Sequence, residues 1–122
     1  MLKSIVFIGI GGAVGSVMRY LLGVLGAHYF KGTFPIATFI TNFIGCLIIG
    51  LLIGYFGKSN EINPQLKLLL ITGFCGGFTT FSTFAAENVQ LLENGNYGLL
   101  LGNVVGSVLI GMGGVIVGMK MI

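Results

Sequence analysis

The chain has 122 residues, 55% of them apolar and only 7% charged, with a mean hydropathy of +1.03. Soluble domains carry about a quarter charged residues, so the polar surface that would keep this chain in water is missing, and the length fits one domain. The net charge of +3 rests on six scattered basic residues, Lys3, Arg19, Lys31, Lys58, Lys67 and Lys120, with no cluster that would grip nucleic acid.

A helix needs about 20 mostly apolar residues to cross the hydrocarbon core of a bilayer. Met1-Leu-Lys3 ahead of an apolar run has the outline of a signal peptide, but no small-residue cleavage site follows and three more apolar segments do. Residues 4–27 are therefore read as an uncleaved first span, interrupted by Arg19 near its far end. His28, the single histidine, falls at the end of that span and reads as an interfacial side chain. Residues 34–56 form a second span without one charge. Residues 65–92 form a third, apolar at first and polar in its middle, and residues 97–119 a fourth, again uncharged. The expected fold is a single all-α, four-helix transmembrane domain over residues 1–122.

The turns are short: Lys31 to Thr33, Lys58 to Pro64, and Glu93 to Asn96. An even number of spans puts both termini on one side. Lys3, Lys58, Lys67 and Lys120 then share the side of the termini, and Arg19 and Lys31 lie on the other. This small Lys/Arg bias favours termini inside and also fits a chain that inserts both ways.

Twenty-two glycines would weaken soluble helices, but in lipid they let backbones approach closely. Small-xxx-small spacing occurs in every span, at Gly11/Gly15, Gly50/Gly54, Gly73/Gly77, Gly102/Gly106 and Gly114/Gly118. Four short spans barely enclose a solvated pathway, so a transporting unit is expected to be an oligomer. Cys46 and Cys75 sit in apolar runs and read as small hydrophobes; neither has partners at metal-ligand spacing.

Polarity inside the membrane marks where function is to be sought. In the third span, Gly76-Gly77 is followed by Thr79, Thr80, Ser82 and Thr83. A break there would present carbonyl oxygens suited to a cation on one side and amide N–H groups suited to an anion on the other. Helical spacing puts Thr79, Ser82 and Thr83 on one face of the following half-helix, and Phe81 and Phe84 on another. A continuous helix whose hydroxyls bond back to preceding carbonyls fits the pattern equally. Thr38 and Asn42 share a face of the second span, and Asn103 and Ser107 share one of the fourth. Each pair reads either as helix–helix glue or as neutral donors for an anion. Arg19 and Glu87 are the ionisable residues nearest the hydrocarbon, both able to snorkel. Arg19 would also draw anions into a vestibule.

Together, Gly11-Gly12-Ala-Val-Gly15 with Met18-Arg19-Tyr20, Thr41-Asn42-Phe-Ile-Gly45, and Gly73-Phe-Cys-Gly-Gly-Phe-Thr-Thr-Phe-Ser-Thr-Phe84 resemble the Fluc (CrcB, camphor-resistance) fluoride channels over essentially the whole chain. The third string is the specific one. The resemblance implies an antiparallel, dual-topology homodimer in a prokaryotic cell membrane, with two fluoride pores and a third span broken at mid-membrane. It implies a structural Na⁺ at the dimer centre, held by backbone carbonyls of Gly76 and Thr79. It places Phe81, Phe84 and Asn42 in the pore, with Thr38, Ser82, Thr83, Glu87 and Ser107 at polar lining positions. Asn103 stands where some relatives carry tyrosine.

Two other readings compete. A small multidrug antiporter also has four short spans and needs a membrane-embedded carboxylate; of Glu61, Glu87 and Glu93, only Glu87 is so placed. An accessory subunit without a pathway would use the glycines for packing, but gives no reason for the Gly-Gly and hydroxyl cluster. An enzyme lacks support, because no His/Cys/Asp constellation, phosphate loop or nucleophile with a base is present.

Overall fold

The computed structural model describes residues 1–60 and 63–122, so Glu61 of the second turn lies outside the described residues. All secondary structure among them is helical. Helix α1 is Leu2–Tyr29 and α2 is Ile36–Lys58. Helix α3 (residues 64–78) joins a turn at Pro64–Lys67, a π-helical stretch Leu68–Cys75 and a short segment Gly76–Phe78. Helix α4 is Phe81–Glu93 and α5 is Tyr97–Lys120. Four segments are long and apolar enough to span a membrane: Leu2–Tyr29, Ile36–Lys58, Pro64–Glu93 and Tyr97–Lys120.

Local chemistry fixes the boundaries. The Asn63 side chain accepts from the Gln65 and Leu66 N–H groups at 3.0 and 3.3 Å, with Pro64 at the first helical position, a start signal in which proline gives up nothing. After α4, Gly95 takes φ +74° while its N–H bonds Leu92 O and that of Asn96 bonds Leu91 O. This glycine stop satisfies the last carbonyls and turns the chain into α5.

The helices pack as two glycine-zipped pairs. A Cβ on Gly11 would strike Leu69 O and one on Gly15 would strike Phe74 O, while Gly73 and Gly77 meet Ile8 O and Gly12 from the other side. Helix α1 thus lies backbone to backbone on α3. In the same way Gly50 and Gly54 of α2 abut Val115 and Met119 of α5, and Gly118 abuts Leu47 O. Not every small-xxx-small pair is used this way. Gly102 has open space around it and Gly106 meets only the Phe39 ring, at 3.5 Å; α5 makes its backbone approach at Gly118 instead, with Gly114 against the Phe43 ring at 3.2 Å.

Little of this chain is buried within itself. Among the described residues the buried apolar side chains are Phe56, Cys75, Phe78 and Leu91, against buried polar Thr41, Asn88 and Asn103. The outward faces of α1 and α5 are mostly Val, Ile, Leu and Met, with Tyr20, Tyr29 and Tyr97 also exposed, so polar side chains make up an unusual share of the interior.

Candidate functional site

The site is organised by two residues that leave helical geometry. Thr79 (φ −80°, ψ 159°) and Thr80 (φ −148°, ψ 121°) are extended between α3 and α4. Neighbouring groups take over the hydrogen bonds that the helix gives up. Asn42 of α2 donates from Nδ2 to Thr80 O at 3.1 Å and accepts the Thr80 N–H on Oδ1 at 2.8 Å. Arg19 of α1 donates from Nε to Gly77 O at 3.0 Å. Thr80 Oγ1 caps α4 by accepting the Thr83 N–H at 3.2 Å.

These substitutions release two carbonyls. In an unbroken helix Gly76 O would accept from Thr80 N–H and Thr79 O from Thr83 N–H. Those two donors are engaged by Asn42 Oδ1 and Thr80 Oγ1 instead. Gly76 also has nothing within 4 Å of where a Cβ would stand, so its backbone is open to close approach. Backbone oxygens freed in this way suit a hard cation.

A cavity of about 620 Å³ gathers Asn42, Gly76, Thr79, Phe81, Phe84 and Ser107, drawn from α2, α3, the extended link, α4 and α5. Cys46 and Cys75 also line it; their thiols are free. The Phe81 and Phe84 rings stand 6.0 Å apart at 45°, and Phe81 is 80% exposed on the single chain. A second cavity of about 520 Å³, between α1, α2 and α4, holds Arg19, Thr38, Thr41 and Thr83, with Thr80 lining both cavities.

The anticipated hydroxyl stripe is divided. Thr79 lies in the link rather than on α4, and its Oγ1 bonds back to Cys75 O at 2.8 Å, so it shares no helical face with Ser82 and Thr83. Thr83 turns to the second cavity, and Ser82 Oγ lies 3.5 Å from Thr80 Oγ1. Ser82, Glu87 and Asn103 line neither cavity. Thr38 faces the Glu87 carboxyl, whose Oε1 is buried without a hydrogen-bond partner among the described residues. Asn103 is interior: its Nδ2 donates to Asn88 Oδ1 at 2.8 Å and its Oδ1 accepts from Ser107 Oγ at 3.2 Å.

Asn88 and Thr41 were not singled out by sequence. Asn88 could have been, since it is the only asparagine within α4 and follows Glu87 directly. Thr41 carried no such mark beyond the Thr41-Asn42 pair.

Four apolar spans enclosing carboxamides, hydroxyls and the extended Thr79–Thr80 link define a multi-pass membrane protein with a polar, largely uncharged internal site. Residues 6–119 match the family described as CrcB-like protein, Camphor Resistance (CrcB), and the chain belongs to that family. It is 54% identical over 93 residues to a fluoride-specific ion channel FluC of Flavobacterium psychrophilum, covering 76% of this chain and 75% of the relative. It is 42% identical over 118 residues to the FluC of Azobacteroides pseudotrichonymphae, covering 97% and 94%. With the FluC of Phocaeicola vulgatus it shares 43% over 122 residues, 98% of each chain.

Proposed function

We propose that this chain is a passive, fluoride-selective channel that lets a prokaryotic cell lose cytoplasmic fluoride across its cell membrane, in line with its relatives' names. The observation that carries the reading is the cavity in which Asn42, Phe81, Phe84 and Ser107 meet without a fixed charge. Fluoride is small and strongly hydrated, so a pore must replace its water with donors and partial positive charge. Aromatic rings have a positive edge, and Phe81 and Phe84 presenting edges attract an anion that their faces would repel. Asn42 has one amide N–H left after binding Thr80, and it serves as an uncharged donor. Larger halides lose the close contacts that make this exchange worthwhile.

The working unit is an antiparallel homodimer of two oppositely inserted copies, and the third span is a helix broken at mid-membrane. The exposure of Phe81 and the openness of the cavity lined by Gly76 and Thr79 support this arrangement, because both need a covering surface. The donor set fits a structural Na⁺ at the dimer centre: Gly76 O and Thr79 O are hard oxygens freed from the helix ladder. When bound, the ion would supply fixed positive potential beside the pathway. Arg19 draws anions toward the second cavity, while Thr38, Ser82, Thr83, Glu87 and Asn103 supply polarity along α2, α4 and α5.

The test is fluoride efflux from proteoliposomes without a pH gradient, with chloride and a Phe81→Ile variant as controls. Fast fluoride efflux, little chloride efflux and a loss in the variant are expected. Equal chloride and fluoride flux would sink the proposal, and a strict requirement for a proton gradient would point to an antiporter built on Glu87.

A further inference from the structure

Asn103 is 1% exposed and Asn88 9% exposed, yet the pair is not closed on itself. Asn103 Oδ1 accepts from Ser107 Oγ at 3.2 Å, and Ser107 lines the cavity with Asn42 and Phe84. A chain of hydrogen bonds therefore runs from the buried contact between α4 and α5 to the cavity wall.

Its polarity has a consequence for an anion. As it stands, Asn103 Nδ2 donates to Asn88 Oδ1 and Ser107 donates its only proton to Asn103. The hydroxyl then presents lone pairs to the cavity, which an anion avoids. A carboxamide carries its acceptor and donor in nearly equivalent positions. Turning both amides over exchanges those roles with the heavy atoms in place. Asn88 then donates to Asn103, Asn103 donates to Ser107, and the Ser107 proton is free to bind an anion. A hydrogen bond to an anion is roughly twice as strong as one between neutral groups, so an arriving anion outcompetes Asn103 for that proton.

We propose that Asn88 and Asn103 are positioning residues that set the direction of the Ser107 hydroxyl, and that their chain reverses when an anion stands beside it. This rests on the reading of the cavity as an anion path. It accounts for a buried amide pair where an apolar pair would hold α4 to α5 without the cost of burying polar groups. An apolar residue at 103 would remove the reversible partner. Ser107 would then bond to the main-chain carbonyl four residues earlier, an acceptor that cannot turn into a donor.

The experiment compares fluoride efflux in wild type, Ser107→Ala, Asn88→Leu/Asn103→Leu, and the triple variant. Fluoride flux from wild type tests the underlying reading by itself. Given that flux, Ser107→Ala is expected to lower it about tenfold, the weight of one hydrogen bond to a charged group. The double variant should lower it by a similar factor, and adding Ser107→Ala to it should change flux less than about twofold, because coupled sites are not additive. A full Ser107→Ala loss in the double-variant background, or no loss in wild type, overturns the proposal. Should the double variant not fold, Asn88→Ala carries the same comparison. There the Ser107→Ala effect is expected to shrink by at least about threefold, and an undiminished effect overturns the proposal.

Discussion

The side-chain amide of Asn42 pairs with the main chain of Thr80 as one strand residue pairs with another, donating to its carbonyl at 3.1 Å and accepting its N–H at 2.8 Å. This single side chain satisfies both polar groups of a residue that no helix serves, and it ties α2 to the link between α3 and α4. Asn42→Leu would leave both Thr80 groups without their partner, at about 1–3 kcal/mol each when buried. A lower unfolding temperature in detergent, followed by helical circular dichroism, is expected together with loss of fluoride efflux. A Leu variant as stable as wild type would show that Thr80 does not depend on Asn42.

Thr80 also caps α4, its Oγ1 accepting the Thr83 N–H at 3.2 Å. Thr80→Val keeps the shape and loses the cap, which costs about 1 kcal/mol. Thr80→Ser keeps the oxygen and should restore most of that stability. Thermal unfolding of the three proteins measures it; identical midpoints for Val and Thr would remove the cap from the account.

The spans and the special character of residues 76–84 were legible in the sequence, because uninterrupted apolar runs and a Gly-Gly ahead of four hydroxyls are local signals. What was not legible is where each hydroxyl points. Helical spacing put Thr79 with Ser82 and Thr83, but that spacing holds only while the backbone is helical, and Thr79 lies in the extended link. Asn42 read either as helix–helix glue or as a neutral donor, and the choice was hidden because its partner, Thr80, is 38 residues away. The Asn88–Asn103 bond was hidden for the same reason: it joins two helices, and neither residue's neighbours announce it. Glycine spacing likewise marked Gly102/Gly106 and Gly114/Gly118 alike, although of these four only Gly118 meets a facing backbone closely.

The glycine contacts separate into tight and open positions within one helix. A Cβ at Gly15 would fall on Phe74 O and 2.8 Å from Phe78 N, while at Gly23 nothing lies within 4 Å. Gly15→Ala must push α1 off α3, and overpacking of this kind costs about 1–3 kcal/mol. Gly23→Ala should fold as wild type does or slightly better, since alanine is the better helix former. Expression and unfolding temperature of the two variants provide the comparison, and equal tolerance at both sites would contradict the backbone contact.

Arg19 places a cation at the carbonyl end of α3, where the helix dipole favours positive charge, while its Nε binds Gly77 O at 3.0 Å and its side chain lines the second cavity. Two variants separate these roles. Arg19→Gln keeps an N–H donor and removes the charge; Arg19→Lys keeps the charge and loses the guanidinium geometry. A charge that concentrates anions acts through a field that salt screens. Arg19→Gln should therefore lower fluoride flux at low ionic strength and flatten its dependence on salt. Arg19→Lys should keep that dependence and instead unfold more readily, by about 1 kcal/mol for the hydrogen bond. Flux at low and high ionic strength, with thermal unfolding of both variants, reads the two effects independently. An Arg19→Gln channel with the wild-type salt dependence would leave Arg19 as an anchor for Gly77 alone.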